Sequence, residues 1–406
     1  MSPPREVLLF HKTEEICSGI FPGFFPKSVM YIFFKGVMHT FPAAVMILFL
    51  LLRIFSKNHG KGSRKDETDD RKQSIAFEEP VYIASGASLV GEKEKEGPLG
   101  DYFDHVLTDP MCGGQSWEEG ESQMQLAVAK LAIQKANLKA EQIRMIFAGD
   151  LLAQSIASCF GLVELNRPIY GLFGACSTMG EALSLGAMAV AGGYGDWVLS
   201  LTSSHFGSAE KEFRFPLAYG NQRPLSASWT VTGSGACVLG KKRTKVKITG
   251  VTTGKIVDYG LKDSQNMGAC MAPAACDTIC QNLIDFNRRP EDYDHIVTGD
   301  LGSVGQEILF ELLRQRGFDI TAQHLDCGIM IFDEATQDTG AGGSGCGCAA
   351  VVLTSFLLPK LESGEWKRIL FLPTGALMSK VSFQEGQSVP GIAQAVVIEH
   401  EEEEKK

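Results

Sequence analysis

The sequence repeats itself, and this internal repeat limits the chain to a duplicated fold. In each half, an apolar strand ends in Gly-Asp-Leu, a Gly-rich turn opens a helix of small residues, and a Gly-acid-Trp step precedes another strand. These landmarks begin at Gly149, Gly174 and Gly195 in the first half, and at Gly299, Gly342 and Gly364 in the second. The offset grows from 150 to 169 residues, which predicts an insertion within residues 317–340. We therefore expect an α/β protein of two similar βαβ halves with right-handed connections.

Residue patterns place the halves along the chain. We expect an N-terminal extension over residues 1–75, the two halves over 76–240 and 241–398, and a solvated acidic tail over 399–406. Apolar runs and helical periodicity predict the main elements. Strands are predicted at Pro80–Ala87, Arg144–Ala148, Pro168–Phe173 and Val198–Thr202, and helices at Glu121–Leu138 and Thr178–Ala191.

Net charge and cysteine spacing argue against several kinds of site. The formal net charge is −10, and residues 80–398 show no basic stripe interleaved with aromatic residues, so nucleic acid is not an expected partner. The 11 cysteines include no CxxC pair and have no histidine at ligand spacing, so we expect no zinc site. A chain with this much core does not need a disulfide framework, so mostly buried thiols and a reducing compartment are expected.

The N-terminal extension contains an apolar run from Gly36 to Phe55, about long enough to cross a bilayer, which needs ~20 apolar residues. His39, Pro42 and Arg53 interrupt the run, and a basic cluster and a charged linker follow it. Two interpretations remain open, a membrane anchor or translated upstream sequence without a role. If the run is an anchor, the basic cluster favours a cytoplasmic position for the main domain.

Cys176 lies where the predicted strand Pro168–Phe173 turns into the predicted helix Thr178–Ala191. A thiol at a helix N-terminus meets unpaired backbone N–H groups, which lower its pKa and suit a nucleophile that takes up an acyl group. The same helix end suits a second task, holding a carboxylate through N–H groups and hydroxyls. A packed, inert thiol is the third interpretation.

Several long motifs make the chain recognisable. They are GACSTMGEAL, TSSHFGSAEKEFRFPLAYGNQRP, VTGSGA, DSQNMGACMAPAACDTI and AGGSGCGCAAVV. With the duplicated halves and the cysteine at the helix start, they resemble the thiolase-like superfamily and, within it, the stage V sporulation protein AD family of spore-forming bacteria. The resemblance covers about residues 79–398. It implies a thiolase-like fold, in which two βαβαβαββ halves form a layered α-β-α-β-α architecture.

The resemblance also implies a function in sporulation. Members of the family are thought to help move dipicolinic acid (pyridine-2,6-dicarboxylic acid) into the developing spore at the forespore inner membrane. The acid is thought to bind in the pocket that catalytic relatives use for chemistry. We therefore expect this acid as the ligand, alone or as its calcium chelate, and the other stage V sporulation A membrane proteins as partners. A homodimer formed through the first half is expected, and no cofactor.

The sequence departs from the catalytic relatives at two places in the second half. Those relatives use two histidines, or a histidine and an asparagine, where this chain has Gly299-Asp300 and Gly343-Ser344-Gly345-Cys346. A missing oxyanion donor costs ~10²–10³ in rate, and a missing general base a further ~10²–10⁴. We therefore expect a binding protein with Cys176 as a vestigial nucleophile. Two alternatives stay open: an acyltransferase that uses Cys176 with His205 as base, and a scaffold for membrane partners.

Eight residues are expected to contact the ligand: Cys176, Ser177, Thr178, His205, Arg214, Arg223, Asp300 and Ser344. The helix start at Cys176–Thr178 is expected to take one carboxylate, and His205 or an arginine the other. Each has a structural alternative: His205 as a hydrogen-bonding core residue, the arginines as surface residues, and Asp300, like Asp150 in the first half, as a helix cap.

Overall fold

A computed structural model of the chain describes residues 72–213 and 222–402. The apolar run Gly36–Phe55, Arg214 and the last four residues of the acidic tail lie outside these ranges. Within them, no helix has both the length and the hydropathy needed to span a bilayer.

The strands follow the predicted apolar runs and are numbered in chain order. They are β1 (Ser74–Val90), β2 (His105–Val106), β3 (Met145–Gly149), β4 (Ile169–Leu172), β5 (Trp197–Ser204), β6 (Trp229–Thr230), β7 (Gly233–Gly240), β8 (Val246–Thr252), β9 (His295–Thr298), β10 (His324–Asp326), β11 (Gly343–Ser344), β12 (Arg368–Leu372), β13 (Thr374–Ala376), β14 (Gly391–Ala393) and β15 (Ala395–His400). Two pairs lie outside the main sheet, β6 with β11 and β13 with β14.

The helices alternate with the strands in both halves. They are α1 (Glu92–Lys95), α2 (Trp117–Lys135), α3 (Ile156–Leu162), α4 (Thr178–Ala191), α5 (Phe206–Phe213), α6 (Met267–Asp285), α7 (Gly302–Gln315), α8 (Cys327–Ile331), α9 (Glu334–Gln337), α10 (Cys346–Val352), α11 (Leu358–Glu362) and α12 (Lys380–Gln384). A π-helical turn, Leu353–Leu357, joins α10 to α11.

The main sheet has two arms with the same strand scheme. Its order is β10-β9-β12-β15-β8-β1-β7-β5-β3-β4, with β2 beside β1. From the central antiparallel pair of β1 and β8, each arm continues with an antiparallel strand, β7 or β15. Three parallel strands follow, β5, β3 and β4 in one arm and β12, β9 and β10 in the other. The predicted duplication is confirmed.

Three hydrophobic cores separate five layers. The helix α2 packs Met124 and Val128 against strands of the first arm, and α6 packs Met271 and Ile279 against the second arm. The third core lies between the arms and contains side chains of α4, such as Leu183, together with α10. An arm of the sheet covers each side of α4 and α10, and their small residues allow both arms to pack close to the helix backbones. The expected α-β-α-β-α layering is confirmed.

Two segment lengths refine the sequence analysis. Between the end of β4 and the start of α4 lie residues 173–177, whereas residues 327–345 separate β10 from α10. The extra length of the second half is therefore concentrated in 327–345, where α8 and α9 lie, and overlaps the predicted insertion. The acidic tail also begins later than residue 399, because Glu399 belongs to β15 and its carboxylate pairs with Arg368 at 2.6 Å.

Candidate functional site

The two Gly-rich turns of the repeat meet in space. Cys176 lies in the turn Ala175–Ser177 between β4 and α4, and Ser344 ends β11 just before α10. The Cys176 Sγ and Ser344 Oγ atoms are 3.8 Å apart. Ala175 has φ +52°, a left-handed conformation that a non-glycine residue adopts only under constraint. Backbone strain of this kind concentrates at functional sites.

Asp300 lies behind Ser344 and organises the second-half side of the site. Its Oδ2 accepts hydrogen bonds from Ser344 Oγ at 2.7 Å and from the Gly345 N–H at 3.0 Å. Its Oδ1 accepts one from Thr374 Oγ1 at 2.8 Å. Gly345 has φ +105°, and a Cβ there would lie 2.6 Å from Ser204 Oγ, so only glycine fits. Asp300 therefore holds the second turn in the place where it faces Cys176.

Burial controls the protonation of this group of residues. Burial, followed by the nearby Asp300 carboxylate, raises the pKa of the Cys176 thiol well above its usual value. Burial also raises the pKa of Asp300, and hydrogen bonds from Cys176, Ser344 and Thr374 oppose that rise. The helix start at α4 was expected to lower the thiol pKa, and that effect does not prevail here. Since the thiolate is the nucleophile, a thiol with a raised pKa is a poor one.

No histidine in the described ranges is hydrogen-bonded to the Cys176 thiol. His205 is only 2 % exposed, and its ring stacks on Trp117 at 5.4 Å between centroids. Its Nε2 lies 2.7 Å from the Pro110 carbonyl, and its Nδ1 accepts the Gly207 N–H at 3.0 Å. Burial lowers the pKa of His205. With both ring nitrogens engaged, His205 has the hydrogen-bonding environment of a core residue.

A cavity of about 320 Å³ opens beside Cys176 and Ser344. Apolar side chains line much of it, and hydroxyl groups supply its polar atoms. The lining residues are Leu151, Phe173, Ala175, Cys176, Ser228, Thr230, Met267, Ser344, Ala376, Leu377, Met378, Ser379 and Ser382. They come from both halves, so the cavity lies where the arms of the duplicated fold meet.

The structure separates the predicted contacts into two groups. Cys176 and Ser344 line the cavity, with Asp300 directly behind Ser344. The Ser177 and Thr178 hydroxyls do not line it, because they donate hydrogen bonds to the carbonyls of Gly174 and Ala175 within the turn.

Arg223, one of the two arginines among the predicted contacts, does not line the cavity. The Arg223 guanidinium lies over the Trp229 ring, 4.2 Å from its centroid, and donates to the Ser228 carbonyl. Arg223 therefore packs against the segment that carries Ser228, without lining the cavity itself. Arg214 lies outside the described residues.

Several residues of the site were not predicted from the sequence. Thr374 hydrogen-bonds Asp300, and Met267, Met378 and Ser382 line the cavity. Thr374 could have been found from the sequence, because it lies two residues after the buried run RILFL, which ends at Leu372. Side chains just beyond the carboxyl ends of neighbouring parallel strands lie close together. Met267 and Met378 had no such signal in the sequence, because Met267 begins helix α6 and Met378 lies in the loop after β13, and neither position follows a strand of the main sheet.

Comparison with known proteins places these features in context. Residues 71–399 match the sequence model of the family described as stage V sporulation protein AD. Stage V sporulation protein AD of Bacillus subtilis (strain 168) is 42% identical over 328 residues, covering 81% of this chain and 97% of the relative.

Two solved structures share the fold at low sequence identity. A variant of OleA from Xanthomonas campestris is 16% identical, with a TM-score of 0.52 over 80% of this chain and 100% of that chain. AbyA1, a tetronic acid condensing enzyme, is 16% identical, with a TM-score of 0.51 over 78% of this chain and 99% of that chain. These similarities confirm the thiolase-like fold.

Proposed function

The chain belongs to the stage V sporulation protein AD family, and is a sporulation protein with a thiolase-like fold; from this premise we propose that it binds dipicolinic acid in the cavity beside Cys176 and supports uptake of the acid into the developing spore. The observation that carries the proposal is the pairing of the buried Cys176 thiol with Ser344 and Asp300 in place of an imidazole. Such a site keeps the pocket of a condensing enzyme and lacks its base.

The size and lining of the cavity support a small, flat ligand. Its volume of about 320 Å³ is at the lower end of the ~300–1,000 Å³ usual for small-molecule sites. The pyridine ring would pack against apolar side chains such as Phe173 and Met378. The carboxylates would face the hydroxyl-bearing part of the wall. Ser382 can donate to them by exchanging its bond to the Ser379 carbonyl, whereas the proton of Ser344 is held by Asp300.

Charge supports the calcium chelate as the bound form. Among the described residues that line the cavity, none is cationic, and the Asp300 carboxyl lies directly behind Ser344. A free dianion would lose its hydration there without an opposite charge to replace it. The one-to-one complex with Ca²⁺ is neutral and removes that cost. Calcium would enter as part of the ligand and would not be held by a resident metal site.

Isothermal titration of the full chain tests this function. Dipicolinate with equimolar Ca²⁺ should give a saturable heat at one ligand per chain, and dipicolinate alone should bind more weakly. Picolinate is the matched control, because it keeps the ring and loses one carboxylate, and it should bind at least tenfold more weakly. Absence of heat at millimolar dipicolinate, with and without Ca²⁺, would remove the proposal.

An apolar sheet edge supports the proposed homodimer. β4 ends the sheet, and Ile169 and Tyr170 on it are 40% and 58% exposed. Phe160 and Val163, which precede it, are 69% and 73% exposed. A second copy is the occupant we propose for this edge, since open apolar edge strands pair readily.

Sedimentation equilibrium should give a dimer at micromolar concentration, and Tyr170→Asp should shift it to monomer. A monomeric wild-type chain would contradict the pairing.

The proposed location is the forespore inner membrane, together with other stage V sporulation A membrane proteins. Family membership supports this location, and the apolar run Gly36–Phe55 is one candidate anchor. Peripheral attachment through the folded part is the other.

A further inference from the structure

The turn between β7 and β8 carries a dense basic segment, Lys241-Lys242-Arg243-Thr244-Lys245. With Lys247 at the start of β8, we call this segment the basic hairpin. Gly240 pairs with Trp197, the first residue of β5, so the basic hairpin lies at the amino ends of the parallel first-arm strands. Leu151 and Cys176 follow the carboxyl ends of such strands, and the cavity is therefore at the other end of this arm.

Three cations of the basic hairpin form no ion pair with any described residue. Lys241, Lys242 and Lys245 are exposed and form no ion pair within residues 72–213 and 222–402. Glu401 pairs with both of the others, with Arg243 at 2.5 Å and with Lys247 at 2.6 Å, so its single negative charge offsets one of these two positive charges. The three exposed lysines therefore give this end of the sheet positive charges that form no ion pair in the described ranges, in a chain whose net charge is −10.

A cleft beside the basic hairpin adds two arginines to this face. Its volume is about 680 Å³, and Arg144, Arg167 and Tyr194 are among the residues that line it. Arg167 donates hydrogen bonds to the carbonyls of Asn166 and Glu141, and in the described part of the chain neither arginine forms an ion pair. The cleft also contains the acidic side chains of Glu141 and Asp196. The Lys241 Nζ atom reaches within 3.8 Å of the position of a Cβ on Gly193, so the hairpin and the cleft are continuous.

We propose that the basic hairpin and this cleft dock the protein onto the surface of an anionic lipid bilayer. Lysines and arginines near an anionic leaflet contribute about 1 kcal/mol each, and the attraction falls off within a Debye length. Tyr194 is 72% exposed beside the lysines, and an amphipathic aromatic ring of this kind favours the headgroup region of a membrane. The sequence shows no basic, aromatic-interleaved stripe because Arg144, Tyr194 and Lys241 are far apart along the chain, and only the fold brings them together.

Nucleic acid is the less favoured occupant. Sequence-independent binding of nucleic acid uses a groove of cations with several stacking aromatic side chains. The cleft is lined by two aromatic residues, of which Trp197 is half-buried, so it lacks the row of stacking rings that such binding uses. This inference rests on the proposed membrane location and is independent of the proposed ligand.

Vesicle sedimentation with the full chain tests the docking face. Lys241→Gln, Lys242→Gln and Lys245→Gln combined should weaken binding to phosphatidylglycerol-containing vesicles by roughly 10- to 100-fold at low ionic strength. Binding to pure phosphatidylcholine vesicles should not change. The matched control neutralises three exposed lysines elsewhere on the surface, Lys72, Lys262 and Lys380, and should bind like the wild type. A further variant, Glu401→Gln, removes a negative charge from beside Lys247 and should tighten binding.

The outcomes separate this inference from the proposals it rests on. If the hairpin variant and the control variant bind anionic vesicles equally well, the docking face is refuted, while Gly36–Phe55 can still hold the protein at a membrane. The docking face is also refuted if the hairpin variant loses affinity for a duplex DNA probe and keeps its affinity for anionic vesicles. Dipicolinate titration of the hairpin variant should match that of the wild type, so a failure of ligand binding is recognised separately.

Discussion

Replacing Ala376 with phenylalanine should weaken dipicolinate binding by at least about 100-fold. Ala376 lines the cavity from β13, is 6% exposed, and lies among residues contributed by both halves. A benzyl group at this position would occupy much of the space of about 320 Å³. Close-packed interiors do not yield to a second ring, so the pyridine ring would be excluded. Isothermal titration of Ala376→Phe against the wild type, with Ca²⁺ present, measures the effect.

Two controls make that result specific. Cys176→Ala removes one thiol and keeps the cavity, so it should bind within about threefold of the wild type. Thermal melting of Ala376→Phe without ligand should remain cooperative, which shows that the fold is intact. Binding by a cooperatively folded Ala376→Phe within about threefold of the wild type would place the ligand elsewhere.

Replacing Asp300 with asparagine should make Cys176 at least about tenfold more reactive toward iodoacetamide at pH 8. The Asp300 carboxylate is the second cause, after burial, of the raised pKa of the thiol. A neutral amide at this position removes the repulsion of the thiolate, so the pKa falls and the thiolate fraction rises by about tenfold per pKa unit. Burial persists, so reactivity should stay below that of an exposed cysteine. Peptide mass mapping over time gives the alkylation rate at Cys176.

The exposed Cys159 is an internal standard for this experiment, because its rate should be the same in both proteins. Buried Cys237 should stay unreactive in both, which excludes general unfolding as the cause. Asparagine has one acceptor oxygen where Asp300 has two. Its NH₂ group must face either Ser344 and Gly345 or Thr374, so hydrogen bonds are lost on that side and the free energy of unfolding should fall by about 1–3 kcal/mol. An unchanged Cys176 rate would mean that Asp300 does not control the thiol.

The sequence predicts the fold well because its elements are long and patterned. The helix predicted at Thr178–Ala191 has those bounds in the structure, and the buried run Val198–Thr202 lies within β5. The repeat landmarks correctly indicate two arms, because in each half the first landmark closes a strand of the main sheet, β3 or β9, and the last precedes one, β5 or β12. What the sequence could not show is the pairing of β1 with β8 at the centre, since pairing between distant strands leaves no local pattern.

The candidate site is predictable only where the repeat points to it. Asp300 and Ser344 stand at the two positions where the family resemblance led us to expect catalytic side chains, and the structure brings them to Cys176. His205 follows a buried strand as a pocket residue would, yet its ring faces Pro110 and Trp117. The direction of a side chain at a strand end depends on packing by distant residues, and Trp117 is 88 positions away in the sequence. No pattern around His205 encodes that contact.

Intact mass measurement after incubation with acyl thioesters tests the central claim, that a carboxylate and a serine opposite Cys176 leave a pocket for binding without a competent nucleophile. Wild-type chain held for an hour with acetyl-coenzyme A and with a long-chain acyl-coenzyme A should keep its unmodified mass. A gain of one acyl group that disappears in Cys176→Ala would contradict the claim and make acyl transfer the function of this site.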